Sequence, residues 1–304
     1  MRKSLLLVLA VTAALVLPGC SQPGSAPDKP RVVVTTNILG DVTQQVLGDQ
    51  ADVTVLMQPN ADPHSFEISA QQAALMGSAD LVVSNGLGLE EGLQQHLDRA
   101  AAAGAPQLVA GEAIAVVPYS SGDAEGAPDP HFWTDPAAML DVVNALEAAA
   151  GDISGIDAGK LAASAGAYRE QLTQLDAEMT QAFTTIPTER RALVTNHHVF
   201  GYLAKRFDFR VVGAVIPGGT TLAAPSAADL RQLSQAIKDA GVPTIFAESS
   251  QPDRLVQVLA NEAGVNVQVA ELFTESLTDP AGGAGTYLEM MRANTDRIVR
   301  GLSA

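Results

Sequence analysis

Cysteine is all but missing from this chain: Cys20 is the only one among 304 residues. Disulfides are thereby excluded, and so are thiolate metal ligands beyond position 20. A metal site in the body of the protein has to be built from His, Asp, Glu or water. Basic residues are also scarce, 18 Lys and Arg against 34 Asp and Glu, giving a formal charge of −16. Such a field repels nucleic acid and anionic lipid headgroups and favours cations. Past residue 17 no apolar run is long enough for a transmembrane helix.

The N-terminus, by contrast, carries an export signature. Arg2 and Lys3 precede an apolar run, residues 4–17, that is too short to span a bilayer comfortably. The run ends in Leu17-Pro18-Gly19-Cys20, which resembles a bacterial lipobox, although Pro18 fills a slot that usually holds Ala, Ser or Thr. The expectation is a lipoprotein signal peptide over 1–19, a lipidated Cys20 and a Pro/Gly/Ser-rich tether over 20–30.

Hydrophobic periodicity divides the rest into two βα runs. Strands are expected at 31–36, 52–57, 79–84 and 107–110, and again at 192–195, 209–216, 244–247 and 266–270. Helical patterns fit 39–47, 70–76, 89–102 and 136–149, then 199–207, 226–240, 252–262 and 286–302. Short apolar strands alternating with helices predict an α/β fold: two lobes, each with a mainly parallel sheet covered by helices. Between them Leu161, Ala165, Tyr168, Leu172, Leu175 and Met179 recur at helical spacing, which predicts a long helix over 156–183. The expected boundaries are an N-terminal lobe at 31–154, a linking helix at 155–186 and a C-terminal lobe at 187–304.

Only five histidines are present. Three of them, His64, His131 and His197, each follow a strand and precede a helix, where open α/β sheets place their binding residues. Neutral imidazole is the commonest protein ligand for zinc-like metals. Successive spacings of about 65 residues match no local metal motif, so spacing alone leaves a structural role and a ligand role both open. His96 falls on the polar side of a helical pattern and is expected to be exposed. Trp133 is expected to pack beside His131 and keep bulk water out.

The words around these histidines are more specific. Asp62-Pro-His-Ser-Phe-Glu67, residues 79–90, Asp129-Pro-His-Phe-Trp-Thr-Asp-Pro136, Thr195-Asn-His-His-Val-Phe-Gly-Tyr202, Pro225-Ser226, residues 245–249 and residues 286–294 form one set. Together they resemble the cluster A-I solute-binding proteins of bacterial ABC importers for zinc and manganese, over residues 31–302. The resemblance implies two α/β lobes joined by a rigid helix, with a metal ion held between them. It further implies His64, His131 and His197 as ligands, with His198 at a position where the family often has Asp. The fourth ligand, usually Asp in Asp-Ser-Leu, corresponds to Glu275 in Glu275-Ser276-Leu277. Asp279 and His198 are alternative ligands, and Glu248 is a carboxylate that could orient a histidine.

Three imidazoles and a carboxylate suit Zn2+, whereas manganese prefers more oxygen. In the resembling family a carboxylate in place of the third histidine tends to accompany manganese, so His197 argues for zinc. The expected role is a monomeric, membrane-anchored zinc receptor serving an ABC permease and its ATPase. The rivals are a manganese receptor of the same family and a three-histidine zinc hydrolase or lyase, which would need an open, water-bearing coordination position.

Overall fold

A computed structural model of the protein describes residues 29–120, 124–216, 218–249, 254–263 and 268–303. The expected signal peptide, Cys20 and most of the tether lie outside the described residues. So do residues 252–253 of one expected helix and 266–267 of one expected strand.

The N-terminal sheet contains β1 (Arg31–Val34), β2 (Asp52–Val55), β3 (Leu81–Ser84) and β4 (Gln107–Val109), all parallel, in the order β2-β1-β3-β4. Its helices are α1 (Asn37–Leu47), α2 (Ala70–Met76), α3 (Gln94–Ala102) and α4 (Pro136–Gly151). The second sheet repeats this plan with β5 (Ala192–Thr195), β6 (Arg210–Ala214), β7 (Thr244–Glu248) and β8 (Gln268–Leu272), in the order β6-β5-β7-β8. Its helices are α6 (Gly201–Phe207), α7 (Ala227–Ala240), α8 (Arg254–Ala263) and α9 (Tyr287–Ser303). Both sheets reverse direction of growth after their second strand, which opens a crevice at the carboxyl ends of the strands.

Alternation along each strand builds three apolar layers. Val32 and Val34 of β1 enter one core, while Val33 enters another with α2 and α3. In the second sheet Leu193 and Phe246 join the first core, and Val194, Ile245 and Ala247 face α7 and α8. The first core is therefore shared by both lobes.

The shared core is organised by α5 (Ala158–Thr184), 27 residues and about 40 Å long. Leu161, Ala165, Tyr168, Leu172, Leu175, Met179 and Phe183 are its buried stripe. It packs on α1 and α4 of the first lobe and on α9 of the second. Asp157 caps its start by accepting from Lys160 N. A connector packed along its length cannot act as a loose tether.

Several boundaries differ from the periodicity. The predicted helix at 89–102 begins as a 3-10 turn at Glu91–Leu93, and α3 starts at Gln94. The reason is Glu90, which turns inward and accepts from Thr35 Oγ1 and from the backbone N–H groups of Asn85 and Gly86. The helix expected from 199 starts at Gly201, because Phe200 stands outside helical geometry with φ −104° and ψ 27°. In the segment that leads to His131, Tyr119 N donates to Ala127 O and Asp129 N to Val117 O.

Candidate metal centre

Four loops deliver side chains to the crevice. His64 comes from the β2–α2 loop, and His131 from the segment between β4 and α4. His197 stands two residues past β5, and Glu275 three past β8. Two of the loops repeat one device. In Asp62-Pro-His64, Asp62 Oδ1 accepts from His64 N at 2.9 Å, and in Asp129-Pro-His131, Asp129 Oδ1 accepts from His131 N at 2.9 Å. Each aspartate turns the backbone so that the histidine points inward.

The four side chains converge in the interior. His131 and His197 are 0% exposed, Glu275 1% and His64 2%. Glu275 Oε1 lies 2.9 Å from His64 Nε2, 3.1 Å from His131 Nε2 and 3.1 Å from His197 Nε2. The Nε2 atoms of His64 and His131 are 3.4 Å apart. Ligands at 2.0–2.1 Å around a tetrahedral zinc stand about 3.3 Å from one another. The cluster therefore already has close to the edge lengths of such a shell, and all four ligand atoms fall within 4.8 Å of one another.

The outer edges of two imidazoles are met by carboxylates. Asp129 Oδ1 lies 2.7 Å from His131 Nδ1, and Glu248 Oε2 lies 3.2 Å from His197 Nδ1. Asp129 is the residue that periodicity and spacing do not single out; its place two residues before His131 is the only local signal.

Charge accumulates here. Burial pushes the His197 imidazole down, but Glu275 and Glu248 outweigh it and hold its pKa well above 6.5. Burial likewise opposes charge on His131, and Asp129 with Glu275 reverses this to raise it above 6.5. Burial pushes Glu275 up, yet the three histidines, His197 foremost, hold it well below the ordinary carboxylate range. Burial, then the neighbouring Glu275, raises Glu248. Glu275 Oε2 and His64 Nδ1 are buried without a hydrogen-bond partner among the described residues. Buried polar atoms of that kind call for a ligand or an ion.

The remaining candidates lie elsewhere. His198 is half-buried and lines a separate cavity of about 350 Å3 beside Asp129 and Lys205, its ring 6.4 Å from that of Tyr119. Asp279 is exposed, and its carbonyl accepts from Gly282 N in a turn outside the cluster. Its carboxylate thus does not replace that of Glu275. His96, expected exposed, is half-buried on α3 and is not one of the converging side chains. Trp133 is buried, with its ring 5.2 Å from that of His131, and donates Nε1–H to Thr274 O at 2.7 Å.

Comparisons with known proteins bear on the family and the fold. Residues 32–301 match the family model described as zinc-uptake complex component A, periplasmic (ZnuA). The zinc-binding protein TroA of Treponema pallidum is 31% identical over 287 residues, covering 93% of this chain and 92% of TroA. The manganese-binding lipoprotein MntA of Halalkalibacterium halodurans is 27% identical over 310 residues and the full length of both chains. Among solved structures, periplasmic zinc-binding TroA from Treponema pallidum superposes with a TM-score of 0.82 at 30% identity, over 90% of this chain and 99% of that one. A cadmium-bound periplasmic metal-binding protein from Candidatus Liberibacter asiaticus gives 0.80 at 26% identity, over 90% and 100%. No helix among the described residues is long and apolar enough to cross a membrane. Family and fold are those of a substrate-binding receptor of ABC transporters rather than of an enzyme. The chain belongs to the ZnuA family of metal-binding receptors for ABC import.

Proposed function

We propose that the protein captures one Zn(II) ion on His64, His131, His197 and Glu275 and delivers it to an ABC permease. The observation that carries this reading is the convergence of three Nε2 atoms and one carboxylate oxygen, all buried, at the spacing of a tetrahedral zinc shell. Glu275 closes the shell that a hydrolase would leave open to water, which argues against the catalytic alternative. Membrane attachment through Cys20 and action as a monomer belong to the same reading. Calorimetry on metal-free protein tests it: one zinc per chain is expected, and a His131→Ala protein that binds as tightly as wild type would sink the assignment.

Manganese is the competing cargo, favoured by one specific feature. Glu275 Oε2 is free to join Oε1, which would raise the oxygen count and the coordination number toward what manganese prefers. Relatives named for manganese, such as PsaA of Streptococcus pneumoniae at 28% identity over 315 residues, lend it weight. Direct competition between Zn(II) and Mn(II) for metal-free protein decides between them.

A further inference from the structure

Glu275 belongs by sequence to the C-terminal lobe, since it follows β8. The hydrogen bonds around it come largely from the other lobe. Trp133, two residues past His131, donates its indole N–H to Thr274 O at 2.7 Å. Asn37, the first residue of α1, brackets the far side: its Oδ1 accepts from Leu277 N at 2.9 Å and its Nδ2 donates to Ser276 Oγ at 2.8 Å. Asn60 N donates to Leu277 O at 2.9 Å. The four residues 274–277 are thus gripped before and after the ligand by elements of the N-terminal lobe. Downstream, Tyr287 N donates to Asp41 Oδ2 and Tyr287 Oη to the carbonyl of Trp133. The backbone of Asn196 and the carbonyl of His197 bond within their own lobe, to Ile216 N and Thr195 Oγ1.

We infer that Asn37 and Trp133 are positioning residues for Glu275, fixing this ligand in the frame of the N-terminal lobe alongside His64 and His131. Both side chains are buried, so neither bond is replaced by water without rearrangement. Three of the four ligands then form one unit, and His197 is the ligand contributed across the lobe boundary. The inference rests on the metal-receptor reading given above.

The test compares Asn37→Ala, Trp133→Phe and a remote control, Thr244→Val, in the full chain. Thr244 donates to Gly301 O at 2.6 Å in the second lobe, so its loss destabilises without touching the crevice. Asn37→Ala is expected to weaken zinc by about 10–100-fold and to speed chelator-driven release in proportion. The visible spectrum of the Co(II) form, which reports carboxylate geometry, is expected to change in both Asn37→Ala and Trp133→Phe and to stay unchanged in Thr244→Val. In metal-free wild type, exchange of the Leu277 amide is expected to be slow, becoming fast in Asn37→Ala. Trp133→Phe keeps an aromatic ring in place and serves where Asn37→Ala does not fold. Wild-type release rate, cobalt spectrum and Leu277 protection in both variants would overturn the inference. Failure of wild-type protein itself to bind Zn(II) or Co(II) would instead overturn the receptor reading.

Discussion

Glu248 Oε2 stands 3.2 Å from His197 Nδ1, on the edge of the imidazole opposite the Glu275 carboxylate. His197 is therefore held between two buried acids, one inside the cluster and one behind it. The rear carboxylate fixes the ring so that Nε2 faces inward and makes that nitrogen a stronger donor. Glu248→Gln preserves the shape and removes the charge. Zinc affinity is expected to fall by about 10–100-fold, read by competition with a chromophoric chelator. An unchanged affinity would reduce Glu248 to a packing role.

Proton and metal compete for the same nitrogens. His131 and His197 are raised in the metal-free protein, so zinc bound at the proposed site has to displace protons at pH values where an ordinary histidine is already neutral. Affinity is expected to rise with pH through the region above 6.5. Calorimetry in buffers of different ionisation enthalpy should register protons released on binding; zero release at pH 7 would contradict this.

The stability of the metal-free protein has the opposite slope. Histidines with raised values stabilise the fold below their unfolded value of 6.5, and that contribution disappears as pH climbs through the raised values. Glu275, depressed, contributes above 4.5 and loses its contribution as pH falls through its lowered value. Urea midpoints of metal-free protein are therefore expected to be higher at mildly acidic pH than above neutrality, and saturating zinc should flatten or reverse that trend. A metal-free midpoint that rises from pH 6 to pH 8 would contradict the pairing.

The linking helix was the most legible part of the fold. Leu161 through Met179 repeat at helical spacing, and every one of those positions is buried in α5. The site loops were legible for a different reason: the words around His64, His131 and His197 resemble those of a known family, and the structure shows that in two of them an aspartate turns its histidine inward. What stayed hidden depends on partners distant in sequence. Asn37 touches residues 239 and 240 positions away. Glu90 reaches Thr35 across 55 positions, and periodicity counts it as ordinary helix. No local pattern encodes such pairs. Asp129 was visible as a residue but not as a partner, because sequence does not reveal which of two identical aspartates will reach a ring nitrogen. Asp129 does so, whereas Asp62 accepts from Ser65 Oγ and Thr221 Oγ1.

Leu172 on α5 is fully buried in the core shared by both lobes. Leu172→Ala is expected to cost about 2–5 kcal/mol through lost burial and a residual cavity. Zinc at 100 times its dissociation constant should return about 2.7 kcal/mol, because only the folded state holds the cluster together. Chemical denaturation with and without zinc measures both quantities. A zinc-independent midpoint would mean that the metal is not bound by the native cluster.

Gly201 opens α6, and its backbone lies against the carboxylate of Asp129; an added Cβ would overlap Asp129 Oδ2. That carboxylate holds His131 at Nδ1 through its other oxygen. Tyr202, next in the chain, donates to Asp129 O at 2.9 Å and accepts from Val117 N, so the segment cannot slide away to make room. In Gly201→Ala the Asp129 side chain has to turn, and His131 loses the partner that fixes its tautomer. Zinc affinity is expected to drop by about tenfold or more, in line with loss of an outer carboxylate. Asp129→Asn should reproduce most of that loss without the steric change. If Gly201→Ala binds normally while Asp129→Asn does not, the helix start has enough slack to absorb a methyl group. If both bind normally, His131 is oriented by the shape of its loop alone.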